Sequence, residues 1–143
     1  MDPASEAVDI LTLARSAWDL YHACYALAGD APSGFRHLVN QLGSLQDVLR
    51  TLRDDVNSNT SFFEQMDKAR KQTLERCLTS CFATLHRLDD LLTRYHNMGI
   101  AEAKRVFWQR VNWSTQRPQI EELKSHVMVH TCNISLCMSS IDK

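Results

Sequence analysis

Residues 3–29, PASEAVDILTLARSAWDLYHACYALAG, carry a helical pattern that is apolar on almost every side. Asp2 before Pro3 offers an N-cap followed by proline at the first helical position, where its missing N–H costs nothing. One stripe holds Leu11, Ala14, Trp18, Tyr21 and Tyr25, and a second holds Ile10, Leu13, Ala17, Leu20, Cys24 and Leu27. Asp9, Thr12, Ser16 and Asp19 leave only a narrow polar strip between them. A helix apolar nearly all round is either the central helix of a bundle or a segment that enters a membrane. The central position is the favoured expectation.

The stretches that follow repeat a simpler rhythm. After Gly29, Asp30-Ala31-Pro32 starts a second helix whose apolar positions are Phe35, Leu38, Leu42, Leu45, Leu49, Leu52 and Val56. Asn57-Ser58-Asn59 breaks it, and Ser61 with Glu64 offers a capping box for a third helix over about 63–98. That helix is built on Leu74, Cys77, Cys81, Leu85, Leu88, Leu92 and Tyr95, with Gly99 as its stop. A short amphipathic helix is expected at about 101–112. Ser114 and Thr115 then offer caps near Pro118 for a last helix on Ile120, Leu123, Val127, His130, Ile134, Cys137 and Ile141. Four long helices with seven-residue spacing and short links predict an all-α fold, an antiparallel four-helix bundle with one short additional helix. The whole span 1–143 reads as a single domain of this kind.

Composition agrees. Four glycines, three prolines and 44% apolar residues in 143 favour long helices over a turn-rich sheet protein. Asp9, Arg15 and Asp19 interrupt the first helix, so no stretch has the uncharged length of a conventional transmembrane span. No basic region precedes that helix, which argues against a secretory signal. Five cysteines, an odd number, fall within apolar helical patterns and read as reduced, buried thiols of a cytoplasmic protein. The net charge is −1 but unevenly spread. Residues 1–67 hold ten acidic and four basic side chains (−6), and residues 68–117 hold ten basic and four acidic (+6). Such asymmetry supports a head-to-tail contact between copies or a patch for anionic lipid, unless the two halves neutralise each other as neighbours.

Several strings in order carry a family resemblance: AWDLYHAC at 17–24, APSGFRHLVNQLGSLQDVL at 31–49, RCLTSCFATLHRLDDLLTRYHNMG at 76–99 and HVMVHTCNISLC at 126–137. Together they resemble the HeLo-like N-terminal domains of fungal signalling proteins, which precede ankyrin arrays, NACHT-type ATPases or kinases. That family is similar to the cell-death domain of the fungal HET-S protein and to the executioner bundle of mixed-lineage kinase-like pseudokinases. The resemblance implies a non-enzymatic module of a programmed-cell-death pathway, of the type found at the N-terminus of NLR-like proteins. It implies homo-oligomerisation and association with the plasma membrane on activation. It also implies a C-terminal effector or sensor domain beyond these residues.

Candidate sites follow from both readings. Ile10, Leu11, Leu13, Trp18 and Leu20 would supply apolar insertion into an anionic membrane. Lys104, Arg105, Trp108 and Arg110 lie on a basic-aromatic segment suited to lipid phosphates, although a linker helix tucked on the bundle end explains the same residues. Cys77 with Cys81, and His126 with His130, have the spacing for a zinc site, but their places in the core stripes favour plain packing, and no metal or other cofactor is expected. No phosphate loop, HExxH or nucleophile elbow is present, so no catalytic residues are assigned. Asp89 and Asp90 are expected to pair with Arg87 or Arg94. No recognition-helix pattern points to nucleic acid. The competing expectation is a protein-binding adaptor or autoinhibitory bundle without lipid activity, marked by an exposed apolar groove.

Overall fold

The computed structural model describes residues 3–28, 31–58, 65–96 and 113–139. Among the described residues there are four α-helices and no strand: α1 (Pro3–Leu27), α2 (Ser33–Ser58), α3 (Lys68–His96) and α4 (Trp113–Ser139). They form a helical bundle arranged as a ring. α1 packs on α2 and α3, and α4 packs on the same two helices from the opposite corner. The Asp2 cap, the Ser61–Glu64 capping box, Gly99 and the short helix at 101–112 lie outside the described residues.

α2 forms where its sequence alternates three and four residues between leucines. Leu38, Leu42, Leu45, Leu49 and Leu52 are all without solvent exposure, with Phe35 and Val39 beside them. The core face of α4, from Ile120 to Cys137, is likewise buried at each expected position. α3 differs at its C-terminal end. Leu91, not Leu92, completes the core after Leu88, and Leu92 is half-buried at the edge. Both spacings suit a helix; the neighbour across the seam decides between them.

The helix ends follow local chemistry. Asp67, just before α3, accepts a hydrogen bond from the Arg70 backbone N–H at 2.8 Å on Oδ1, the N-cap arrangement that satisfies a first-turn donor. The third helix therefore starts at Lys68, later than the apolar pattern alone implies. The last helix starts earlier than expected. It opens at Trp113, so Pro118 lies inside it, and its missing N–H leaves one first-turn carbonyl without its helical partner.

α1 is not a central helix. Its second stripe, Ile10 to Cys24, is buried, but Leu11 and Trp18 on the first stripe are each 41% exposed and Tyr25 is more so. With two neighbours rather than three, α1 has no helix among the described residues to cover that side. On the α2 side Tyr21 lies over Gly43, where a Cβ would meet the ring at 3.2 Å. The missing side chain there lets the two helices approach.

Two stability measurements test this core. Leu123→Ala should cost about 2–5 kcal/mol in denaturant melts, because a fully buried leucine leaves a cavity. Gln46 is buried with its Oε1 lacking a partner among the described residues, while its Nε2 donates to Asp47 Oδ1 at 2.7 Å. Gln46→Met removes an orphaned acceptor at nearly constant volume, so its stability should equal or exceed the wild type. A loss above about 2 kcal/mol would show that the amide has a partner in solution.

Candidate functional site

The weakest seam of the ring runs between α1 and α3, which meet over a shorter stretch than the other adjacent pairs. The cause lies in side-chain size. On its α3-facing edge α1 carries Ser16, Ala23 and Ala26, too small to reach across. A groove of about 640 Å³ remains there. Its apolar walls come from Leu13 and Leu20 on one side and Phe82, Leu85 and Leu92 on the other. Phe82 is 43% exposed, so an aromatic ring stands open to solvent at the groove. Asp19 from α1 and Asp89 from α3 line the rim, with His86 beside them and no lysine or arginine among the described lining residues.

The expected contact residues divide three ways. Ile10, Leu13 and Leu20 are core, so lipid reaches them only if α1 leaves the bundle. Leu11 and Trp18 lie on the outer side, away from the groove. The Trp18 indole packs edge-on against His22 with ring centroids 4.1 Å apart, and the Arg50 guanidinium of α2 stands 5.2 Å from its centre. Lys104, Arg105, Trp108 and Arg110 lie outside the described residues. Sequence reading missed Phe82, which sits off the core stripe of α3. Its signal was a large aromatic one residue beyond Cys81, facing an α1 edge of small residues.

The cysteine and histidine pairs have other tasks. Thr84 Oγ1 and His130 Nε2 lie 2.8 Å apart in the core, while the Thr84 hydroxyl also reaches the Ser80 carbonyl at 3.1 Å. Both contacts are satisfied when the threonine donates to the carbonyl and the imidazole N–H donates to the threonine oxygen. Burial pushes the Cys24 and Cys81 thiols up to about 12, leaving them protonated and unreactive at neutral pH. Cys77 and Cys137 are raised by burial as well. Cys132 departs from expectation: it is exposed. No group of three or more His, Cys, Asp or Glu able to hold a metal occurs among the described residues.

Charge pairing is mostly local. Arg53 pairs with Asp54, Asp67 with Arg70, and Lys124 with Glu121. Asp90 faces His86 at 3.7 Å, and Arg87 reaches Glu122 of α4 at 3.3 Å rather than either neighbouring aspartate. Arg87 points to the α4 side of its helix, where Glu122 stands. No helix among the described residues is long and apolar enough to cross a membrane. Comparison with protein-family models, curated proteins and solved structures returns no match.

Burial holds His130 below the ordinary histidine range, and His126 nearby pushes the same way. An unfolded chain takes up that proton near pH 6.5, whereas the folded chain resists it until lower pH. The His130 contribution is thus present above about pH 6.5 and is lost as pH falls through the lower folded value. Melting temperature should drop more between about pH 7.5 and 5.5 for the wild type than for His130→Gln, whose amide keeps a donor toward Thr84 without titrating. Equal drops in the two proteins would assign the acid sensitivity to other groups.

Proposed function

We propose that this chain is a non-enzymatic signalling module whose α1–α3 groove receives one amphipathic helix of basic character from a protein partner. The open apolar groove with its two rim carboxylates carries the proposal. Phe82 and the half-buried Leu92 offer contact to apolar side chains at i, i+3, i+4 and i+7 of an incoming helix, over a floor of Leu13, Leu20 and Leu85. Asp19 and Asp89 favour lysine or arginine on that helix's flanks and disfavour glutamate. The resemblance to HeLo-like domains supports placing the module in a cell-death type pathway beside an effector or sensor domain.

The arrangement belongs to an antiparallel bundle with a short further helix at about 101–112. Paired positions that run in opposite senses support the antiparallel part: Tyr21 over Gly43 with Trp18 near Arg50, and Arg87 with Glu122 and Thr84 with His130.

A synthetic helix of leucine and lysine in amphipathic register, labelled for fluorescence anisotropy, is the direct probe. Binding should weaken about tenfold or more with Phe82→Ala, with Asp89→Lys, and when glutamate replaces the peptide lysines. Asp54→Lys, on exposed α2 surface, should leave it unchanged. Binding that is absent, or indifferent to all three changes, would remove the groove as the docking site.

A second reading, contact with an anionic membrane, is favoured by the exposed Leu11 and Trp18 beside Arg15 and Arg50. Cosedimentation with vesicles containing phosphatidylserine should then fall with Trp18→Ala and with high salt, while Phe82→Ala leaves it unaltered.

A further inference from the structure

Across the α3–α4 seam, Thr84 meets His130 at 2.8 Å, and this buried contact sets the register of the two helices. Cys77 lies seven residues before Thr84, and Cys137 lies seven after His130. In the antiparallel arrangement proposed above, those two steps run the same way along the bundle. Seven residues return to nearly the same helix face, with a drift of about 20°. Cys77 and Cys137 therefore face each other two turns from the Thr84–His130 contact. Both belong to the core, 9% and 6% exposed. Electrostatics gives the same neighbours: burial raises the Cys77 thiol, and a charge on Cys137 raises it further.

A disulfide needs Cα atoms about 4.4–6.8 Å apart. Packed helices have axes about 8–10 Å apart and Cα atoms on cylinders of about 2.3 Å radius, so directly facing Cα atoms come as close as roughly 3.5–5.5 Å. Neither cysteine is bulky enough to hold the helices apart. The other thiols are placed differently. Burial pushes Cys24 and Cys81 up to about 12. Cys132 is exposed on the outward side of α4 with Met128 and Leu136. At Cys137 the Arg70 guanidinium opposes the effect of burial and favours the thiolate. Cys137 also lies in the last turn of α4, which ends at Ser139. Opening a terminal turn costs far less than opening the bundle, so an oxidant gains access there.

We propose that Cys77 and Cys137 form a paired thiol site, which a low-molecular-weight disulfide oxidises to an internal bond tying α4 to α3. The Cys137 thiolate attacks one sulfur of the small disulfide, a mixed disulfide forms and one thiolate leaves. Cys77 gives its proton to solvent, and its sulfur displaces the second thiolate from Cys137. The two cysteines lose two protons and two electrons, and the oxidant is returned as two thiols. The bond closes the long 77–137 loop and so restricts the unfolded chain. Neither cysteine lines the α1–α3 groove, so the site is independent of the docking proposed there.

The full chain carrying Cys132→Ser, equilibrated with glutathione disulfide at neutral pH, tests the site. Trypsin cuts after Arg76 and Lys124. From the monomer band of a non-reducing gel it should release residues 77–87 joined to 125–143, two hydrogens lighter than the separate peptides. Cys81 shares the first peptide, so single variants assign the bond. Cys77→Ala, Cys77→Val and Cys137→Ala should each abolish it, and Cys81→Ala should keep it, with circular dichroism checking that each variant is folded. The oxidised chain should melt about 5 °C or more above the reduced one, and dithiothreitol should reverse both changes. No joined peptide at equilibrium, or glutathione held on Cys137 without the internal bond, would overturn the proposal. So would a bond that survives Cys77→Val, or one that leaves the melting temperature unchanged.

Discussion

The leucine ridge of α2 is the contact on which the other packing depends. Leu38, Leu42, Leu45, Leu49 and Leu52 are sealed from solvent on a helix that touches both α1 and α4. Each buried leucine contributes roughly 1.5–3 kcal/mol by leaving water, against the cost of ordering the chain. Because α1 and α4 occupy opposite corners of the ring, this ridge and its counterpart on α3 hold together two helices that scarcely touch. The α3 counterpart includes Leu74, Cys81, Leu85 and Leu88. The buried Thr84–His130 contact sets how α3 and α4 align, since sliding either helix would orphan a polar group in the core.

Much of the fold was legible in the sequence because α2 and the core face of α4 repeat at three and four residues with little ambiguity. Each core position named from Phe35 to Leu52 and from Ile120 to Cys137 is buried. Ambiguity enters where spacing permits two answers. After Leu88, a core residue three or four positions on is equally helical, and only the opposing surface selects Leu91. For α1 the pattern contained two complete apolar stripes, and no local property says which one a neighbour will cover. The boundaries show the same limit. Asp67 outranks the earlier apolar residues as the start of α3 because an orphaned N–H is satisfied there.

The candidate site was much less legible. A groove is a relation between two surfaces, and it depends here on Ser16, Ala23 and Ala26 standing opposite Phe82 and Leu92. Sequence reading weights large apolar residues, so it selected Ile10, Leu13 and Leu20, which the core consumes. It passed over the small residues whose lack of volume leaves the seam open. The expectation of an exposed apolar groove named a kind of feature without its address.

Ring geometry explains why apolar surface remains on α1 and α4. A helix with two neighbours buries about half of its circumference, so any helix apolar over more than half must show the remainder to solvent. On α1 the remainder is partly sheltered: Arg50 covers the Trp18 ring, and Arg15 and His22 flank it with polar groups. On α4 no charged side chain interrupts the outer face between Ser125 and Ser139. The outer faces of α2 and α3 carry charges instead. The corner positions also keep the two surfaces apart. The groove opens between α1 and α3, whereas the α4 stripe faces away from the core at the opposite corner. The open seam and the uncharged face therefore lie on different sides of the ring.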